Sequence, residues 1–130
     1  FIFLTKCPKN LPKWNPWPDN FWVGASATKT TEADNAIRQL YEVKAKTKFV
    51  SLEPLLSWQP LFPVKFPPHI KWIIIGAQTN PYLPPEIEWV QEIVKAADRA
   101  GVPVFLKDNL KPLLGDNLRQ EFPHRLPEEE

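Results

Sequence analysis

An α/β fold built on one five-stranded parallel sheet is what this sequence predicts, and three observations predict it. Five short apolar runs each end abruptly in polar or charged residues: Phe1–Leu4 before Thr5-Lys6, Phe21–Ala25 before Ser26, Phe49–Leu52 before Glu53-Pro54, Trp72–Gly76 before Ala77-Gln78, and Val102–Leu106 before Lys107-Asp108. Helical patterns separate several of these runs, and parallel neighbours joined by right-handed crossovers are the default for such an order. The runs are nearly continuous in apolar residues, as strands covered on both faces are. Five strands in this order form either an open sheet with βα units or an arc of a barrel, and local pattern does not choose between the two.

Strand one is expected over residues 1–6. Pro8 suits a first helical turn, but Pro12 keeps the segment to Trp14 short. Asn15 to Asn20 is a loop with two prolines, and strand two follows over 21–27. A helix is expected over about 31–44. Thr31 and Asp34 form a capping-box-like pair, Glu32 sits in the first turn, and Ala33, Ile37, Leu40 and Tyr41 make one apolar stripe.

Strand three covers 48–53 and stops at Pro54. Residues 55–69 carry four prolines among Trp58, Leu61, Phe62 and Phe66, the composition of a packed loop over the core. Strand four covers 70–77. Pro84-Pro85 opens a helix to about residue 100, with Ile87, Val90, Val94 and Ala97 as its buried stripe and Gly101 as its stop. Strand five covers 102–108. Residues 1–122 are expected to form a single domain, and 123–130, ending in three glutamates, a disordered tail.

Composition narrows the function classes. The 130 residues carry 16 basic and 15 acidic side chains, a net charge of +1, which gives no electrostatic case for a nucleic-acid partner or a membrane surface. No apolar run approaches the ~20 residues that cross a bilayer. Cys7 is the single cysteine, so no intrachain disulfide or thiolate cluster can form, and a lone thiol leans towards a reducing cytoplasm. The absence of Met, with Phe1 already inside a strand pattern, leads us to expect a fragment of a longer protein.

In parallel sheets the carboxyl rim is where ligands bind. Thr5 and Lys6 end strand one there. Lys6 reads as a cation for a carboxylate or phosphate, or as a surface lysine with a packed stem. Ser26 and Gln78 offer neutral hydrogen bonding at their strand ends. Glu53 lies in an apolar stretch, where a carboxylate needs a partner or a solvated pocket. It reads either as a ligand-binding or basic group, or as a structural ion pair with Lys6 or Lys107. Of Lys107 and Asp108, neighbours in a strand that point to opposite faces, Lys107 is expected to face the site. His69 and His124 lie too far apart for a histidine metal site, and neither a GxSxG elbow nor a GxGxxG or P-loop motif occurs.

Five blocks occur in this order: Phe3-Leu4-Thr5-Lys6-x-Pro8, Trp22-Val23-Gly24-x-Ser26, Ser51-Leu52-Glu53-Pro54-Leu55-Leu56, Trp72 to Gly76, and Gly101-Val102-Pro103-Val104-Phe105-x-Lys107. Over residues 1 to about 109 the chain resembles the C-terminal part of a phage-associated, functionally uncharacterised family similar to radical S-adenosylmethionine (SAM) enzymes. The Ser-x-Glu-Pro-Leu-Leu block is the most specific piece. The resemblance implies a partial (half) barrel of the triosephosphate-isomerase type, with Thr5, Lys6, Ser26, Glu53 and Lys107 facing cofactor or substrate. It also implies a preceding portion whose clustered cysteines hold a four-iron cluster. The chain departs from that pattern at Ala77-Gln78, where a glycine and a glutamate are usual, near Thr28, where a carboxylate is usual, and at Asp108-Asn109, where Gln-Trp is usual.

Two functions follow as expectations. The first is the cofactor- and substrate-supporting half of a radical-type enzyme, inactive alone, with no cofactor in this chain by itself and with SAM and a 4Fe–4S cluster in the full-length parent. The second is a non-catalytic binding or scaffold module. Unpaired ends of an unclosed arc invite association. The expected partners are the missing N-terminal barrel half or a second copy joined through the sheet edges, unless residues 110–122 cover an edge.

Overall fold

The five apolar runs form a single parallel sheet. The structure, a computed structural model, describes residues 1–59 and 65–123. Strands β1 (Ile2–Thr5), β2 (Trp22–Ala27), β3 (Thr47–Leu52), β4 (Trp72–Ile75) and β7 (Val104–Leu106) lie in the order β1-β2-β3-β4-β7. All four neighbouring pairs are parallel. The sheet has two ends, β1 and β7, so the described residues show an α/β sheet and no closed barrel. The strands are shorter than expected at both termini of the chain.

Helices lie on one face. Helix α1 (Thr30–Leu40) follows β2, and helix α2 (Ile87–Ala100) precedes β7. Strand alternation sends Val23, Ala25, Val50, Leu52, Ile73, Ile75, Val104 and Leu106 to this side, where they form a core with Ala33, Ala36, Leu40, Val90, Ile93 and Ala97. Lys48 shares this parity and is buried, and its Nζ donates to the Val43 carbonyl at 2.9 Å. Burial pushes its pKa down. Helix α2 ends at Gly101, whose φ of 69° is the left-handed conformation that stops a helix. The helix begins at Ile87, two residues beyond the proline pair.

The opposite alternation sends Trp22, Gly24, Phe49 and Trp72 to the second face, and Phe105 joins them from β7. Trp72 stands at the centre, with ring centroids 5.4 Å from Trp22, 5.3 Å from Phe49, 6.0 Å from Phe105 and 5.8 Å from Phe122. Gly24 pairs with Phe49 in the ladder, and a Cβ there would meet the Phe49 ring at 2.5 Å. The missing side chain is what lets the ring lie down over β2.

The two ends of the sheet differ. At β7, Leu106 N–H donates to the Arg119 carbonyl at 2.8 Å and Glu121 N–H to the Val104 carbonyl at 2.9 Å, so residues 119–121 cover the edge as an antiparallel strap. Val104 N–H donates to Glu121 Oε1, and Trp72 Nε1 donates to the Glu121 carbonyl. Arg119 ties the strap to α2 through Asp98 at 3.0 Å and also pairs with Glu121. At β1 there is no such cover among the described residues. Phe1 to Leu4 are 79, 60, 41 and 49 % exposed, which corrects the expectation that strand one is buried on both faces.

Three further expectations are corrected. Thr31 and Asp34 do not cap α1; Asp34 pairs with Arg38 at 3.0 Å, while Glu32 reaches back to Thr28. The helix stops at Leu40 rather than near residue 44. Residues 78–83 form a small antiparallel hairpin, β5 (Gln78–Thr79) with β6 (Tyr82–Leu83), which the strand-helix reading omitted. In the 55–69 stretch Leu55, Trp58 and Phe66 are buried. Leu61 and Phe62, His124 and the tail from residue 124 lie outside the described residues. No described helix is long and apolar enough to cross a membrane.

Candidate functional site

Lys6, Ser26 and Glu53 come from three neighbouring strands and meet at the carboxyl rim. Leu4 pairs with Gly24 and Ser26 with Ser51, so two residues further along β1 Lys6 stands beside Ser26, and two residues further along β3 Glu53 stands diagonal to Ser26, all on the second face. The three line one cleft of about 410 Å³ together with Pro8, Thr28, Glu32, Asn35, Ala36 and Pro54. That volume lies within the roughly 300–1,000 Å³ typical of small-molecule sites.

Helix α1 supplies the far wall. Thr28 N–H and Thr28 Oγ1 both donate to Glu32 Oε1 at 2.8 Å, which fixes the first turn against the end of β2. The Thr28 amide, then its hydroxyl, hold the Glu32 carboxyl below the usual carboxylate range, and the Lys29 and Lys6 charges act the same way. Glu32 is therefore an anion facing Lys6 across the cleft. Asn35, one turn along, adds an amide that both donates and accepts. Thr28, Glu32 and Asn35 were not among the residues the sequence singled out for the site. The available signal was a threonine ending strand two and a glutamate four residues on, at the start of a helix.

Lys107 and Glu53 form an ion pair at 2.8 Å, with the side chains 44 and 27 % exposed. They belong to strands separated by β4, about 10 Å apart at the usual strand spacing. They meet because the residue between them is Gly76: a Cβ there would stand 2.9 Å from Cγ, Cδ and Oε2 of Glu53. The structural-pair reading of Glu53 thus holds on the Lys107 side, while the same residue also lines the cleft. Lys107 reaches Glu53 on the second face but does not itself line the cleft. Asp108 turns away, where its carboxylate accepts from Gln120 Nε2.

The other two candidates are elsewhere. Thr5 has the opposite parity to Lys6, and its hydroxyl accepts from Cys7 N–H at 3.0 Å in a local turn. Gln78 belongs to the β5–β6 hairpin and donates from Nε2 to the Pro81 carbonyl. Neither lines the cleft. Asn109, one of the departures from the resembled pattern, brackets the peptide of Ala77: its Oδ1 accepts from Ala77 N–H and its Nδ2 donates to Ala77 O. This clamp holds the end of β4 against the turn after β7. His69 is accounted for by a 2.8 Å contact between Nε2 and the Ile37 carbonyl and by packing on Tyr41. Cys7 is exposed. Among the described residues no three His, Cys, Asp or Glu side chains converge to hold a metal ion.

Chemically, the cleft offers one cation, two carboxylates and three neutral hydrogen-bonding side chains on a partly apolar floor. Such a set suits a small molecule that carries hydroxyl groups and both signs of charge. Comparison with known families matches residues 1–112 to the family described as Protein of unknown function (DUF5131). Comparison with curated proteins and with solved structures gives no match. The matched span is most of the 130 residues, and the chain belongs to this uncharacterised family.

Proposed function

We propose that this chain is the ligand-holding portion of a radical-SAM-like half barrel, inactive alone, with its cleft taking SAM or a substrate of similar polarity. The observation that carries the reading is the convergence of Lys6, Ser26 and Glu53 from three adjacent strands on one cleft. The Ser-x-Glu-Pro-Leu-Leu block supports it, because Glu53 is both the centre of that block and part of the wall. Ser26 and Glu53 would hold ribose hydroxyls or the amino-acid end, and Lys6 would hold a carboxylate. Lys107 holds Glu53 in place rather than contacting an anionic substrate group. The 4Fe–4S cluster does not fit this chain: a cluster is held by several thiolates, and Cys7 is the one cysteine. A radical-generating centre would have to come from residues outside this sequence or from another polypeptide. The lone exposed thiol is compatible with a cytoplasmic setting.

Thermal unfolding with S-adenosylhomocysteine, a stable analogue of SAM, tests the reading. A ligand at a hundred times its dissociation constant adds about 2.7 kcal/mol to stability. A rise in Tm that disappears in Glu53→Gln and Lys6→Met is the expected result, and no rise at millimolar ligand refutes it. A second reading, a binding or scaffold module without chemistry, draws on the Lys107–Glu53 and Thr28–Glu32 contacts, in which rim groups satisfy each other. It requires an unchanged Tm with SAM, with its analogue and with related nucleosides.

A further inference from the structure

We propose that the amino rim of the sheet, where the strands begin, binds single-stranded nucleic acid, with Lys13, Lys44 and Lys71 for phosphates and Trp14 and Tyr41 for bases. This rim lies at the opposite end of the strands from the cleft, and the inference is independent of what the cleft takes. The net charge of +1 conceals a division along the chain. Residues 1–71 carry ten basic and five acidic side chains, a charge of +5, and residues 72–130 carry six and ten, a charge of −4. The sheet order follows the chain order, so the division in sequence is also one in space: among the described residues the β1–β3 side is basic and the β4–β7 side acidic. Such an asymmetry between halves points to an anionic partner on the basic side, whatever the total charge.

Hydrogen bonds bring separate segments of the basic side together at this rim. Asn15 joins the β1–β2 connection to the α1–β3 connection: its Nδ2 donates to the Glu42 carbonyl at 3.0 Å, and its Oδ1 accepts from Lys44 N–H at 2.9 Å. Lys48 Nζ donates to the Val43 carbonyl at 2.9 Å, and the Lys48 carbonyl accepts from Lys71 N–H at 2.8 Å. Residues 14–15, 41–44 and 71 are thereby tied into one platform. Trp14 precedes Asn15 and Tyr41 precedes Glu42, so the two rings flank a bonded pair. They are 65 and 68 % exposed, and Tyr41 is steadied by the His69 ring 5.4 Å away. Lys13, Lys44 and Lys71 are exposed, and no ion pair among the described residues engages them. Asp19 is already neutralised by Lys46 at 3.1 Å, which leaves Glu42 against three lysines.

Exposed lysines attract any polyanion, and the rings decide among them. Unpaired bases stack on exposed aromatic side chains whatever their sequence, while cations beside the rings track the phosphates. Bases in a duplex are already stacked on one another, and the carboxylates of an acidic peptide have no flat face to lay on Trp14.

Fluorescence anisotropy of the full 130-residue chain with labelled oligothymidylate and oligouridylate of about twelve nucleotides tests the proposal. The expected dissociation constant lies between about 1 and 100 µM, and log K should fall against log salt with a slope of about −2, three phosphates at about 0.7 each. Equal binding of the two strands identifies recognition by phosphate and stacking alone; a preference for oligouridylate identifies a 2′-hydroxyl contact, and either supports the surface. Lys44→Glu with Lys71→Glu should weaken binding about tenfold or more and flatten the slope by about 1.4. Trp14→Ala should weaken it about fivefold or more, the low end of what one stacked base contributes, with the slope unchanged. Lys95→Glu makes the same charge change on the exposed face of α2, in the acidic half, and should leave binding as it was. All four side chains are exposed, and far-UV circular dichroism verifies that the variants fold. No binding at near-millimolar protein, a duplex of the same length bound as tightly, or a loss from Lys95→Glu equal to that from the rim lysines would each overturn the proposal. So would indifference to Trp14→Ala, or displacement of the oligonucleotide by polyglutamate at equal charge, which would mark a site for acidic peptides instead.

Discussion

Gly24→Ala and Gly76→Ala are the same chemical change on either side of β3, and they should differ sharply. At Gly24 the new methyl would stand 2.5 to 2.6 Å from three atoms of the Phe49 ring. Ordinary carbon contacts are about 3.5–4.0 Å, so the ring must move by about 1 Å. Phe49 is fully buried and packed against Trp72, and the movement has nowhere to go. Overpacking of this kind costs about 1–3 kcal/mol. Replacing a glycine returns about 0.4–1 kcal/mol by restricting the unfolded chain. The net loss at position 24 should be about 1–2 kcal/mol.

At Gly76 the methyl meets Glu53 at 2.9 Å, a side chain that can swing towards water. The loss is the ion pair with Lys107, and an exposed pair of this kind is worth about 0.2–1 kcal/mol. The same entropic gain offsets it, and the net change should be near zero. Urea unfolding of both variants at a common m-value reads the difference as a shift in midpoint. Phe49→Leu should recover part of the loss in the Gly24→Ala background and none in the Gly76→Ala background. Equal costs at the two positions, or a larger cost at Gly76, would refute the view that the neighbour's freedom to move decides the outcome.

Glu32→Gln should lower stability by about 0.5–1 kcal/mol by weakening the bond from Thr28 at the start of α1, read as a fall in Tm; a change confined to acid pH would contradict it. Asp98 and Glu121 are both held below their usual values of 3.8 and 4.5, Asp98 by the Arg119 guanidinium and Glu121 first by the Val104 amide. A carboxyl depressed in the fold contributes stability above its unfolded pKa and loses it as pH falls through the folded one. Protection of the Val104 and Leu106 amides, measured relative to intrinsic exchange, should therefore fall as acid protonates these carboxyls, ahead of the central strands, and Arg119→Gln should produce the same loss of protection at neutral pH. Lys107→Met should leave Tm within a few degrees of the parent, because the pair is half exposed, yet reduce any ligand-induced rise in Tm that depends on Glu53.

The strands were legible because burial on the helix face demands apolar runs, and each run ends where the sheet meets solvent. Their parallel direction followed from the helices between them. The rim followed from direction, and so Lys6, Ser26 and Glu53 were identified correctly as neighbours. Thr5 was misplaced by adjacency: one residue from Lys6 in sequence is the opposite face in a strand. Gln78 was misplaced because β4 ends earlier than its apolar run suggests, and Thr79-Asn80-Pro81 then turns the chain into a hairpin. The α1 cap was misread because Thr31 and Asp34 have the right spacing, but the hydrogen bond goes to the threonine before the helix. The sequence left cover of an edge by residues 110–122 as one of two alternatives, and the structure takes it at β7, where Arg119 and Gln120 reach a strand some fifteen residues earlier.

The two readings of Glu53, structural pair and ligand contact, are compatible in the folded chain. A glutamate on a rim has several rotamers and a mobile carboxylate. Lys107, reaching over Gly76, holds Oε1 at 2.8 Å and selects one of them. The cleft lies on the far side of the same carboxylate, where Lys6 and Ser26 stand. A positioned anion costs a ligand less ordering entropy than a mobile one, and preorganisation of this kind raises affinity without adding a contact. The glycine at position 76 is therefore tied to the site through Glu53, although it has no side chain of its own to offer.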